Sequence, residues 1–250
     1  MSRVLVTGAA RGLGAALVAA YRSRGDEVLA TDLDGEVDLT LDVTDDDDWD
    51  AAVHHVERTW GGLDVLVNNA GVAGGGRLDV ATLEEWRWIT EINLFGPVRG
   101  TRAFTPVFKR QRSGHVVNVA SLAGLVHPAG MASYNAVKAA VVALTETTGH
   151  ELAGWGVRAT AVCPSYFRTG LVDRMQGEDT ALGSVIGHLV ATAPLGPEEI
   201  AAEVVAAVDR GDELVLPDPA ARAAYELKLR DRAAYDTTMR HQASRLEDLA

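Results

Sequence analysis

The chain has 250 residues, 47% hydrophobic and 23% charged, proportions ordinary for a soluble globular protein and sufficient for one large α/β domain with a sizeable core. A formal net charge of -12 argues against nucleic acid or an anionic membrane as a partner, because both want a basic face. It leaves room for an anionic cofactor, since a local helix N-terminus outweighs a distant mean field.

Met1-Ser2-Arg3 runs directly into the apolar strand Val4-Leu5-Val6, with no signal peptide expected ahead of it. The glycine-rich run Thr7-Gly8-Ala9-Ala10-Arg11-Gly12-Leu13-Gly14 follows, then a helical run from Ala15 to Arg24. Strand, glycine turn and helix in succession make a phosphate cradle: the glycines permit the tight turn, and a pyrophosphate rests on the helix N-terminus. Glu27 to Thr31 reads as the second strand, with Asp32 just past its end. An acid about 20 residues beyond the glycine turn can accept from the adenosine ribose hydroxyls. A turn-forming role is the alternative, given Asp34-Gly35 beside it.

Val37-Asp38-Leu39 offers a short third strand, followed by Asp42-Val43. Asp45 to Asp48 opens a helix to about Trp60, where carboxylates are favoured. Leu63 to Val67 is the fourth strand and ends in Asn68-Asn69-Ala70-Gly71. Thr82, with Glu84 and Glu85, starts one long helix to Phe108, and Asn93 inside it needs a reason. Val116 to Ala120 is the fifth strand, with Ser121 at its carboxyl end, where open α/β sheets place ligands.

Thirteen residues beyond Ser121 comes Tyr134-Asn135-Ala136-Val137-Lys138. If Tyr134 opens a helix, Lys138 lies on the same face one turn on, and a cation there favours the phenolate and lowers the phenol pKa. Hydroxyl, phenol and amine then surround one substrate oxygen; a surface tyrosine beside a solvated lysine is the plain alternative. The helix runs to about Leu152, and Val157 to Cys163 is the sixth strand. Cys163 is the single cysteine, so no intrachain disulfide can form, and it reads as core. Residues 164–197 are expected to be a long lid with short helical pieces at Leu171-Val172-Met175 and Leu182 to Leu189. Glu198 to Arg210 is a helix and Glu213 to Leu216 the last strand; Asp218-Pro219 then looks like an N-cap and first-turn proline of a helical tail bearing Tyr235, Met239 and Leu246. Strands alternating with helices imply one Rossmann-type, doubly wound parallel sheet of seven strands with helices on both faces. No run approaches the ~20 apolar residues of a membrane span, and the expected location is the cytoplasm.

Thr7-Gly8-x-x-x-Gly12-x-Gly14, Asn68-Asn69-Ala70-Gly71, Asn93, Ser121 and Tyr134-x-x-x-Lys138, taken in this order, resemble the short-chain dehydrogenase/reductase family in its branch of about 250 residues. The resemblance covers residues 3 to 217. It implies Tyr134 as proton donor and acceptor, Ser121 as the hydrogen bond that stabilises charge on the substrate oxygen, and Lys138 on the nicotinamide ribose. Asn93 corresponds to the family's helix-kink asparagine, which positions a water that links Lys138 to solvent. The cofactor set is Gly8, Arg11, Gly12, Leu13, Gly14, Asp32, Asp42, Val43, Asn69, Ala70, Gly71, Tyr134, Lys138, Pro164 and Thr169. One departure stands out: Pro164 is followed by Ser165-Tyr166-Phe167, where the family commonly has Pro-Gly.

The resulting expectation is an NAD-dependent oxidoreductase for secondary alcohols and ketones, with residues 1–217 as its catalytic domain and 218–250 as a helical extension. NADP as cofactor and a 3-oxoacyl reductase activity form one alternative, a non-catalytic cofactor-sensing regulator another. No metal is expected. Small apolar alcohols or ketones are the expected partners, with Leu122 to Met131, Tyr166, Phe167, Leu171, Met175, Leu182 and Ile186 around them and His127 solvated. Ala136, Ala139, Ala140 and Ala143 offer a close-packing helix surface for a homo-oligomer, a dimer or tetramer.

Overall fold

A computed structural model describes residues 1–171 and 175–247. Its centre is a parallel sheet of β1 (Arg3–Thr7), β2 (Glu27–Asp32), β3 (Leu39–Thr40), β4 (Val65–Asn68), β5 (Gly114–Val119), β6 (Val157–Val162) and β7 (Leu214–Val215), in the order β3-β2-β1-β4-β5-β6-β7. Alternation along each strand sends successive side chains to opposite faces. Val4 and Val6 therefore enter one core with Leu17 and Tyr21 of α1 (Gly12–Ser23) and Val204 and Val208 of α8 (Pro197–Arg210). Leu5 enters the other, with Trp49 and Val56 of α2 (Asp46–Trp60) and Phe104 and Phe108 of α4 (Gly96–Gln111). Each fully buried side chain of this kind contributes about 1.5–3 kcal/mol. Covering helices on both faces explain why the strands read as continuous apolar runs.

The strand order reverses between β1 and β4, so the crevice beyond their carboxyl ends is where such sheets take ligands. Local sequence places the pieces around it. Asp45 caps α2, its side chain accepting from the Asp47 N–H at 2.8 Å. Thr82 and Glu85 form a reciprocal capping box at the start of α3 (Leu83–Thr90). The rest of the helical scaffold comprises α5 (Ala123–Val126), α6 (Ala132–Leu152), α7 (Thr180–Ala191), α9 (Pro219–Arg230) and α10 (Arg232–Glu247).

Three expectations change in detail. The single helix from Thr82 to Phe108 is two helices, α3 and α4, joined by a π-helical turn at Glu91–Phe95. Pro97 is the cause we identify, because it lacks the N–H that the Asn93 carbonyl would accept in an unbroken α-helix. The third strand is Leu39–Thr40 rather than Val37 to Leu39, and Asp32 is the last residue of β2. The lid is more ordered than its sequence suggests: α7 alone spans twelve residues, while Val172 lies outside the described residues. Asp179 caps α7 by accepting from the Leu182 N–H at 3.1 Å, and it also receives Arg77 Nε at 2.8 Å. The Asp179 side chain is fully buried in that ion pair, which ties the lid's base to the loop after β4.

Candidate active site

The candidate catalytic group forms where β5 ends and α6 begins. Ser121 follows β5, and its Oγ accepts from the Ala123 N–H at 3.1 Å, so the hydroxyl sits in a fixed turn. Tyr134 and Lys138 occupy the first turns of α6, with the Lys138 Nζ 5.7 Å from the centre of the Tyr134 ring. Lys138 is buried and donates to the Val119 carbonyl at 2.9 Å. The expected fall in the Tyr134 pKa is not what the protein alone produces. Burial pushes the phenol up to about 12, with the neighbouring Ser121 hydroxyl pulling the other way. Burial also brings Lys138 down to about 8. In a dry site both groups are driven toward neutrality, and the ammonium's benefit to the phenolate is smaller than the desolvation both suffer. Cys163, buried at the end of β6, is likewise pushed up to about 12 and stays a packed thiol.

Asn93 lies in the π-helical turn and is fully buried. Its Oδ1 accepts from the Val72 N–H at 2.8 Å and its Nδ2 donates to the Val72 carbonyl at 2.9 Å. Both ends of the amide are spent on the chain just after Gly71. Asn93 does not reach the cavity wall, so its side chain positions the loop beside the site.

At the other end, the glycine turn is held by polar staples. Thr7 Oγ1 accepts from the N–H groups of Asn69 and Ala70, and Asn69 Nδ2 donates to the carbonyls of Thr7 and Gly8. A Cβ on Gly14 would lie 2.0 Å from the Gly8 carbonyl oxygen, so glycine is required there. Gly12 takes φ +55° and its missing Cβ would meet Thr169 Oγ1 at 3.1 Å, leaving a bare surface beneath Thr169. The N-terminus of α1 has no side-chain cap and no acid in its first turn. Free N–H groups, bare glycine and an overhanging threonine fit a pyrophosphate. Asp32 uses two of its acceptor sites on the N–H groups of Ala10 (3.0 Å) and Leu33 (2.8 Å), and a carboxylate keeps further lone pairs for a ligand. Arg11 is paired with Asp34. Asp42 receives the Thr44 N–H and hydroxyl.

A cavity of about 1300 Å³ joins the two ends. Gly8, Arg11, Gly12, Leu13, Gly14, Asp32, Asp42, Val43, Asn69, Ala70 and Gly71 line one half; Ser121, Tyr134, Lys138, Pro164 and Thr169 line the middle. Leu182 and Ile186 line the far half together with Met131 and Tyr166, while Met175 packs behind that wall against the same cluster. His127 is exposed, as expected, and is also tied: its Nε2 faces the Gly124 carbonyl at 3.1 Å and its Nδ1 meets Lys228 Nζ at 2.9 Å. Burial, then the Lys228 cation, holds its pKa below the usual imidazole value.

The tail from Pro219, for which the sequence allows a subunit interface or a cover over the lid, packs Leu246 against the lid's Leu182 and Ile186 and forms part of this wall. Tyr235, Met239, Gln242, Arg245 and Leu246 all border the cavity. Their spacing was visible, but nothing local says which surface an amphipathic helix will cover. Nothing in the sequence shows the partner of Ser165. Its N–H and hydroxyl both go to Asp218, at 2.9 and 2.6 Å, and the same buried carboxylate caps α9 through the Ala221 N–H at 2.8 Å.

Comparison with known proteins agrees with this geometry. Residues 2–179 match the family model described as short chain dehydrogenase. The chain is 34% identical over 219 residues to a 3-oxoacyl-[acyl-carrier-protein] reductase of Thermotoga maritima, covering 79% of this chain and 86% of that one. A short-chain dehydrogenase/reductase of Burkholderia phymatum, solved with NAD, superposes with a TM-score of 0.85 at 29% identity, covering 93% of this chain and 94% of that one. A short chain dehydrogenase of Burkholderia cenocepacia, solved with NADP, gives 0.81 at 28% identity, covering 95% and 97%. The chain belongs to the short-chain dehydrogenase/reductase family of oxidoreductases.

Proposed function

We propose that the protein interconverts a secondary alcohol and a ketone, with NAD as its cofactor and Tyr134 as the acid and base. The observation that carries this reading is the single cavity that runs from Asp32, past the glycine turn, to Ser121, Tyr134 and Lys138. NAD supplies the site where a hydride is accepted from the carbinol carbon or returned to it. Gly8, Gly12, Gly14 and the first N–H groups of α1 would hold its pyrophosphate, with Thr169 above, and Asp32 its adenosine ribose.

The chain's own groups do the rest. In the reducing direction the ketone oxygen lies against the Ser121 hydroxyl and the Tyr134 phenol. As the carbonyl carbon gains a hydride, negative charge grows on that oxygen, Ser121 stabilises it, and Tyr134 transfers its proton to give the alcohol. Oxidation reverses each step and needs the phenolate. A phenol held at about 12 by burial is a poor base near neutrality, so added positive charge is required beside it. Lys138, in its charged form, and the oxidised cofactor would both supply that charge. Alcohol oxidation is therefore expected to accelerate as pH rises toward about 8, where Lys138 begins to lose the charge that favours the phenolate.

Two observations support NAD over NADP. Asp32 lines the cavity at the end of β2, where a carboxylate accepts from a ribose hydroxyl and would repel a 2′-phosphate, and Arg11, the cation nearest that place in the sequence, is engaged by Asp34. The test is a spectrophotometric assay of ketone reduction with NADH and NADPH in parallel. Higher kcat/KM with NADPH overturns the cofactor assignment. Cofactor binding without turnover of any alcohol or ketone would favour a sensor.

A further inference from the structure

We infer that α10 is the substrate-selecting wall of the chamber, and that it suits an alcohol or ketone with an extended apolar body ending in a hydrogen-bond acceptor. The inference rests on the proposed oxidoreductase reading. Tyr235, Met239, Gln242 and Leu246 follow one another at intervals of four, three and four residues, so they form one face of the helix. All four border the cavity, with Arg245 beside them. Leu246 packs against the cluster of Met131, Leu182, Ile186 and Val190, against which Tyr134 also packs. These residues lie outside the stretch matched by the family model, 2–179.

The tail is fastened at both sides of the catalytic centre. Asp218 holds Ser165, next to Pro164 on the wall of the cavity. Tyr235 donates its hydroxyl to the Val126 carbonyl, and Lys228 reaches the Leu125 carbonyl and His127, all in the turn that follows Ser121. A segment tied to both catalytic loops behaves as a fixed wall. Its chemistry then specifies the ligand. Met131, Leu182, Ile186, Met239 and Leu246 present an apolar surface, and the methionines adapt to an elongated shape. Gln242 and Arg245, both exposed, are the polar exceptions at its solvent rim, where the far end of an extended ligand would lie. Arg245 makes no ion pair among the described residues. An arginine only donates and a glutamine amide donates readily, so an acceptor oxygen satisfies both.

The test compares four probes with the intact protein and NADH: butanone, methyl hexyl ketone, the methyl ketone acid of that chain length, and its methyl ester. Wild-type kcat/KM is expected to rise from butanone to methyl hexyl ketone and again to the acid or ester. Met239→Trp should lower the ratio of methyl hexyl ketone to butanone by roughly tenfold or more, the scale of a crowded apolar pocket. Gln242→Leu should erase the advantage of the acceptor-ended probes over methyl hexyl ketone. If Arg245→Leu removes it for the acid alone, the acceptor is anionic; if the ester loses it as well, a neutral oxygen suffices. Met239→Ala, checked for an unchanged melting curve, guards against misfolding of the tryptophan variant and should alter the same ratio. Turnover of all four probes with ratios that none of these variants moves overturns the inference and leaves the oxidoreductase reading standing. No turnover of any probe with either cofactor overturns both.

Discussion

At the cofactor end of the cavity the wall is mostly backbone held by short polar side chains, whereas the chamber beyond Tyr134 is made of long side chains from separate elements. Thr7 and Asn69 clamp the glycine turn through five hydrogen bonds to or from backbone within two segments. The chamber draws Met131 from the turn before α6, Leu182 and Ile186 from α7, and Met239 and Leu246 from α10. A backbone cradle needs glycines at fixed intervals and admits few sequences. A side-chain chamber needs only volume and polarity, which many residues at many positions can supply. The first kind of site therefore carries the chemistry common to a family, and the second carries the substrate choice of one member.

Breaking the junction between the two should have the largest effect. Tyr134→Phe removes the proton donor without touching the cradle, and turnover should fall by roughly 10²–10⁴-fold. NADH affinity, measured by fluorescence titration, should persist. Near-normal turnover in this variant would contradict the role given to Tyr134.

Gly14→Ala breaks the cofactor end alone. The new Cβ would lie 2.0 Å from the Gly8 carbonyl and 2.6 Å from Asn69 Nδ2, so the turn must shift. Overpacking of this kind costs roughly 1–3 kcal/mol. Thermal melting should show it, together with weakened NADH binding. An unshifted melting point with normal affinity would show that the turn is looser than its contacts imply.

Asp32→Ala sharpens the comparison by altering cofactor choice and leaving the chamber alone. Two unit charges ~5 Å apart at an effective dielectric of ~20 interact by roughly 3 kcal/mol before salt reduces it. The ratio of kcat/KM for NADH over NADPH should narrow or reverse, most clearly at low salt. A ratio indifferent to the substitution would remove Asp32 from the ribose site.

The smallest effect concerns Lys138 in the protein without cofactor. Its folded pKa is depressed to about 8 from 10.5, so between those values the unfolded chain binds more protons. Stability therefore rises with pH across that window. Tyr134, raised from 10.0 to about 12, acts oppositely above pH 10, where the unfolded chain loses its proton first. Lys138→Met should remove the rise between pH 8 and 10 in chemical denaturation. An identical pH dependence in variant and wild type would show that the amine is not charged-to-neutral across this range.

The same contrast explains what was legible in the sequence. The sheet, the glycine turn and the Ser121, Tyr134 and Lys138 grouping are encoded by alternation and short spacings, and each lies within or next to one element. The break at Asn93 was written in Pro97, four residues on, but helix-forming neighbours hid it. The phenol's upward shift was not legible, because burial depends on the whole fold while Tyr-x-x-x-Lys shows only the nearby charge. Ser165 stood out only as a departure from the usual Pro-Gly; its partner Asp218, 53 residues away, is visible only once β6 and α9 meet. The tail's apolar face was readable as a face, with the lid as one of two expected targets; its reach along the cavity wall was not.

In the proposed reaction Tyr134 governs proton transfer coupled to hydride transfer between NADH and a ketone in this cavity. The most direct measurement incubates the protein with a ketone and NADH deuterated at its transferable position, and then weighs the alcohol by mass spectrometry. The expected product is alcohol with one deuterium on the carbinol carbon from the wild-type protein and almost none from Tyr134→Phe in the same time. Alcohol formed without deuterium, or labelled equally fast by Tyr134→Phe, would contradict it.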